Sequence, residues 1–537
     1  METISPAPSS SLLNIRSLYV DTILSDNINR QRFVHEHEQN FSVVAPAGVG
    51  KTKAIVDRIV NIALNDGERE QSRLQRLVVV TYTKKAADEM HLRTRNAIME
   101  KRVNPEVIRR LNRVYFGTIH SYCLELLRQH GILLGLPTTV DVTENDELLW
   151  SRFLYHTDQL SNILPKKVQR HFFRHTQLEP LYLLARKSRI KGGNTPLDAI
   201  SPYPNLNLTS LLQFPPNNRA KGKVEMGQKQ LCRWLKAVEE DEGFIPPPIY
   251  EMGGKEFQEL WRASFQPLRD WMSEVACILI AHVSNSYRNF RVSQGVLTYD
   301  DLVDLTTEIL KDKHVGAEIR AEGKHVILDE AQDTDPSQFE VLTEIARPAS
   351  AQGTWLKKGG ASPGAGRFCM VGDPQQSIYG SRANLDFYQY AHKKLLKNAE
   401  AEELFFEVTF RCDEKIVDGV NLFFPSILDG RGKVGEQVKF VPLKARPDAG
   451  SGQIYRTNLK LSSEMEDERN QQAVTLAYVQ AFVGWLKNLE PGDLRARDWS
   501  EVAILCPRNE WLEVLDRELK TSAFSTQVLS RAEQQRT

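Results

Sequence analysis

Paired cysteines are missing from this 537-residue chain: Cys123, Cys232, Cys277, Cys369, Cys412 and Cys506 are scattered, with no Cys-x-x-Cys spacing. That excludes a zinc ribbon, a dithiol redox centre and a disulfide framework, and the thiols read as reduced. An excess of one charge is also missing, because 69 basic and 69 acidic side chains cancel. No global positive field advertises nucleic acid, so any such contact must lie in a local groove. Long apolar runs are absent too. Stretches such as Ala276–Val283 fall far short of the ~20 residues that a bilayer span needs. Residues 1–20 have neither a basic start nor an apolar segment, so a disordered tail is expected rather than a secretion signal. No internal repeat is visible. A cytoplasmic protein without a membrane partner is the expectation.

What is present is enough apolar residue, 41 % of the chain, to build sizeable cores across several domains. Strand-like runs alternate with amphipathic helical patterns near both ends. Phe41–Val44, Leu77–Val80, Val114–Phe116, His325–Leu328 and Phe368–Val371 read as buried strands, each followed by a turn and a helical pattern. That alternation predicts a doubly wound α/β sheet with its site along the carboxyl edge. Residues 141–290 break the rhythm with helical, Pro- and Asn-punctuated sequence and predict an inserted domain.

The first strand runs into Ala45, Pro46, Ala47, Gly48, Val49, Gly50, Lys51 and Thr52. Two glycines allow successive backbone N–H groups to turn around phosphate oxygens. Lys51 adds a point charge at the β/γ-phosphates, and Thr52 opens a helix with a hydroxyl suited to Mg²⁺. A nucleoside triphosphate is implied. The strand His325–Leu328 then delivers Asp329 and Glu330, a carboxylate for Mg²⁺ and a neighbour to orient attacking water. Past Phe368–Val371, Gln376 is a neutral donor that can report on a γ-phosphate. Arg411, at the end of the apolar stretch Leu404–Phe410, is either a surface cation or an arginine finger in cis. Two basic segments with interleaved aromatics, 166–174 and 186–191, read as a strand contact or as solvated helix faces.

Together these motifs resemble the UvrD/Rep/PcrA family of superfamily 1 helicases, with relatives in the RecB and AddA motors. The matching segments keep the family's order from about residue 24 to about residue 519. The resemblance implies a RecA-like P-loop motor domain formed by residues 21–140 and 291–424, interrupted by the helical insert. It implies ATP as the nucleotide, with Gln31 and Phe410 at the adenine and Arg411 at the γ-phosphate. It also implies single-stranded DNA and single/double-strand junctions as partners, through Tyr82, Thr118, His120, Tyr379 and Arg382. A protein partner such as a nuclease or repair subunit fits the same family.

Two features depart from the family pattern. Ser381 stands where a base-stacking ring is expected, and no counterpart of the last two motor motifs follows Leu519. Residues 425–537, including a strand expected around Val502–Cys506, therefore read as a partial second RecA-like domain. The expected activity is 3′→5′ DNA translocation or unwinding driven by ATP. The alternative is an ATP- and DNA-binding non-motor subunit, or a truncated motor that needs a partner.

Overall fold

The computed structural model describes residues 24–65, 72–102, 104–143, 145–156, 163–188, 200–215, 219–241, 243–356, 360–377, 385–398, 401–428, 440–454, 471–506 and 508–528. The chain forms two compact units, residues 1–450 and 451–537.

The first unit is organised by a six-stranded sheet. Its strands are β1 (Phe41–Val44), β2 (Leu77–Val80), β3 (Tyr115–Gly117), β6 (His325–Leu328), β7 (Phe368–Gly372) and β8 (Glu402–Phe405). A second, two-stranded sheet holds β4 (Asp141–Val142) and β5 (Val296–Leu297). The order in the large sheet is β3-β2-β6-β7-β1-β8, and every pairing is parallel. Side-chain alternation assigns each strand to two cores, as period 2 demands. Val78, Val80, Val326, Leu328 and Met370 pack against the helices Ile119–His130 and Tyr299–Lys311 on one face. Leu77, Val79, Ile327, Cys369 and Val371 pack against Lys51–Asn65 and Lys84–Glu100 on the other. The mixed α/β, RecA-like class is thus observed, with the loops that matter at the carboxyl ends of the strands.

His325 opens β6 while buried, its Nδ1 3.0 Å from the Gly366 carbonyl. Burial first, and the nearby Arg73, Arg76 and Arg367, pull its pKa down to about 4 against an opposing hydrogen bond. Between about pH 6.5 and 4 the unfolded chain takes up a proton that the folded chain refuses. Stability is then fully present above the unfolded value and falls by roughly 3 kcal/mol across that window. His325→Gln should flatten this limb of a stability-versus-pH curve measured by thermal melting. An unchanged slope would remove His325 as its source.

The insert leaves and rejoins the sheet domain through β4 and β5, which pair in parallel. Its core is aromatic: Trp150, Trp234, Trp261, Phe265 and Trp271 are buried together. One 39-residue helix, Lys255–Ser293, carries that core and continues to the sheet domain. At its end Arg288 and Arg291 both pair with Asp301, which caps the next helix with Thr298. Three of the basic residues in the insert's two basic segments are paired within the insert. Arg170 and Arg174 pair with Asp241, and Arg186 pairs with Asp146.

Two expectations change. The stretch Leu404–Phe410 is not one strand. It breaks at Phe406–Glu407 into β8 and a short β9 (Val408–Thr409), which pairs with β10 (Lys444–Ala445). In the second unit Val502–Cys506 forms no strand, and Leu505 is 94 % exposed. The described residues of that unit are helices and turns around Val479, Val483, Leu515 and Leu519. Among the described residues of that unit no strand is present to take its backbone hydrogen bonds. Among the described residues no helix is long and apolar enough to cross a membrane.

Candidate nucleotide site

The loop after β1 turns into the helix Lys51–Asn65 through Gly48 (φ +76°) and Gly50 (φ +80°), angles that disfavour a side chain. Space requires the first glycine as well. A Cβ on Gly48 would lie 2.6 Å from the Arg411 Cβ and 2.7 Å from the Thr409 hydroxyl. The loop therefore lies flat against the segment after β9. Phe410 N–H donates to the Gly48 carbonyl at 2.8 Å, and Thr409 Oγ1 donates to the Ala47 carbonyl at 3.4 Å.

These pieces line a cavity of about 460 Å³ bounded by Ala47, Gly48, Gly50, Lys51, Thr52, Lys53, Arg93, Glu330, Gln376, Phe410 and Arg411. Nine of those eleven belong to the motifs legible in the sequence. Lys53 and Arg93 do not; each sits on a helix face that carries other charges, so no pattern sets them apart. Ala45 and Val49 are buried beneath the loop, as apolar neighbours of the sheet.

Lys51 Nζ pairs with Glu330 Oε2 at 2.7 Å, bringing together residues 279 positions apart in sequence. Glu330 is held with φ +50°, a left-handed angle uncommon for a side-chain-bearing residue and frequent at functional sites. Gln332 Nε2 donates to the same Glu330 oxygen at 2.9 Å, while its Oε1 accepts from Asp373 N–H at 2.9 Å. Gln332 thus ties the end of β6 to the end of β7.

Carboxylates crowd this edge. Burial, then the charge of Glu330, pushes Asp329 up to about 7. The same two causes push Asp333 up to about 6, and burial raises Asp373. Asp333 Oδ1 is buried without a hydrogen-bond partner. Such crowding is what a divalent cation relieves, so the donor set suits Mg²⁺. Among the described residues no three or more His, Cys, Asp or Glu side chains form a metal cage. Mg²⁺ in nucleotide sites is held by one or two carboxylates plus phosphate. Of the two residues expected to hold it, Thr52 lines the cavity, while Asp329 is buried and is not among the lining residues.

The expected DNA residues lie elsewhere on the same edge. Tyr82, 49 % exposed, follows β2, and Thr118 and His120 follow β3. β3 and β1 are four places apart in the sheet, a distance of roughly 19 Å at ordinary strand spacing. Thr118 spends its hydroxyl on a capping box with Ser121. The His120 ring lies 5.1 Å from the half-exposed Tyr299, which in sequence shows only as part of a helix start. Gln31 is exposed on the helix Asn27–His35 and does not line the cavity; its neighbour Arg30 reaches Phe410 instead. Tyr379 and Arg382 lie outside the described residues.

Residues 26–395 match the model of the UvrD/REP helicase N-terminal domain. The chain belongs to this family. Among curated proteins, this UvrD/REP-type chain is similar to one subunit of the ATP-dependent helicase/nuclease of Staphylococcus haemolyticus, with 22 % identity covering 75 % of the chain and 39 % of that protein. The corresponding helicase/nuclease subunits from Clostridium perfringens and Ligilactobacillus salivarius are 23 % and 22 % identical. They are covered over 38 % and 48 % of their lengths. The chain therefore spans less than half the length of these curated relatives.

Proposed function

We propose that this UvrD/REP-family chain binds and hydrolyses ATP with Mg²⁺ and couples turnover to 3′→5′ movement on single-stranded DNA. The observation that carries the proposal is the meeting of Lys51, Glu330, Gln376, Phe410 and Arg411 around one cavity. The phosphate loop would cradle the triphosphate, with Lys51 at its β/γ end. Phosphate then competes with Glu330 for Lys51, which frees the Glu330 carboxylate to orient water for in-line attack. Thr52 and Asp329 would hold Mg²⁺, which when bound would neutralise charge at the phosphates. Gln376 and Arg411, from separate segments, act as sensors of the γ-phosphate, and Phe410 offers its ring to adenine.

Tyr82, Thr118 and His120 form the proposed DNA contacts. A stacked ring grips bases without regard to sequence, worth about 1–3 kcal/mol per base. The helicase/nuclease names of the relatives support a partner protein, such as a nuclease, working beside the motor.

Steady-state ATP turnover of the full chain, with and without single-stranded DNA, tests the reading. We expect stimulation by DNA and loss of all turnover in Lys51→Ala. Turnover indifferent to DNA, or surviving that substitution, would overturn it. Displacement of a bound strand-end reporter from 3′- and 5′-tailed substrates tests the direction of movement.

A further inference from the structure

We propose that Arg30, anchored by Asp26, is a positioning residue that fixes the Phe410 ring as the adenine platform and locks it to the phosphate loop. The proposal rests on reading the cavity as an ATP site.

Arg30 sits near the start of the helix Asn27–His35, with its side chain largely buried. Its guanidinium spends its donors on three separate parts of the fold. Nε and Nη2 donate to the two Asp26 carboxylate oxygens, each at 2.8 Å. Nη1 donates to the Val49 carbonyl of the phosphate loop at 2.8 Å, and Nη2 also reaches the Val408 carbonyl at 3.2 Å. Asp26 is itself buried and accepts from the N–H groups of Glu407 and Val408 at 2.8 and 3.0 Å. The Asp26–Arg30 pair therefore bridges the break between β8 and β9 and ties it to the loop.

The flat face of the same guanidinium meets two rings. Its carbon lies 4.7 Å from the Phe406 centroid and 5.2 Å from the Phe410 centroid, cation–π distances. Phe406 is fully buried, whereas Phe410 is 42 % exposed and lines the cavity. Arg30 thus covers one side of the Phe410 ring and leaves the rest facing the site. Four of its five N–H donors are spent on protein, so its leverage on the site is exerted through Phe410 and Val49. A lysine substitutes only in part, because a point ammonium keeps the charge but can neither fork onto a carboxylate nor lie flat on a ring.

This geometry separates base binding from phosphate binding, and the test uses that separation. The full chain is loaded with a fluorescent N-methylanthraniloyl ATP, which is displaced by ATP or by inorganic triphosphate. Arg30→Ala should weaken ATP about tenfold and inorganic triphosphate less than about twofold. Phe410→Ala should show the same selective loss, and the double variant should lose no more than either single, because the two act as one unit. Arg30→Lys and Asp26→Asn should give smaller losses of the same selectivity, and they carry the comparison if Arg30→Ala does not fold. Equal weakening of both ligands, or additive losses in the double variant, would overturn the proposal while leaving the ATP site standing. A wild-type chain that binds no fluorescent ATP would sink the ATP reading and this proposal with it.

Discussion

Glu330→Gln should cut ATP turnover by about a thousandfold, within the range measured for removing a positioned base, while nucleotide binding stays intact. The Glu330 carboxylate faces Lys51 across 2.7 Å and is steadied by Gln332 on its other side. Glutamine keeps the volume and an acceptor oxygen but removes the negative charge. Lys51 then loses its internal partner, so ATP should bind as well as or better than to the wild type. Single-turnover hydrolysis together with a nucleotide titration separates the two effects. If binding is lost together with turnover, Glu330 is a structural partner of the loop and the assigned role is wrong.

Removing the Asp301 side chain should be the most damaging single change outside the nucleotide cavity. Its carboxylate is buried and accepts from Arg288 Nε at 2.9 Å, from Arg291, and from Thr298 N–H and Oγ1 at 2.9 and 2.8 Å. Burial opposes its ionisation, yet Arg291 and the Thr298 donors hold its carboxyl below the usual range. Asp301→Ala leaves Arg291 buried with its principal countercharge gone, a loss of about 3–5 kcal/mol. Lys255→Ala, which breaks an exposed pair with Glu259, should change little by comparison. The measurement is thermal melting joined to amide exchange across the helix Tyr299–Lys311, whose cap Asp301 forms. Equal melting of the two variants would show that the cluster is dispensable.

Much of the first unit is legible in the sequence because its strands are buried on both faces. Leu77–Val80 and His325–Leu328 are uninterrupted apolar runs ending at chemically distinctive residues, and they form strands with those same bounds. The phosphate loop is legible for a different reason: its glycines answer to backbone angles that few other residues tolerate. What stays hidden depends on contacts across long sequence separations. Arg30 reads as one more helix charge until Val408, 378 residues away, is folded onto it. Gln332 has no visible task until β6 and β7 lie side by side. In the second unit Val502–Cys506 misleads, because an apolar run signals a strand only where a neighbouring strand pairs with it, and the described residues of that unit include none.

The helix Lys255–Ser293 is also a mechanical part. At 39 residues it is about 58 Å long, long enough to work as a lever. Pro267 removes one of its internal hydrogen bonds, so bending is favoured near that position. The run from Trp271 to Ser293 is unbroken by proline and ends in the Arg288–Arg291–Asp301 bearing. That bearing holds Thr298 through Asp301, one residue from the ring of Tyr299 that faces His120, so the long helix is joined to the face proposed to hold the strand.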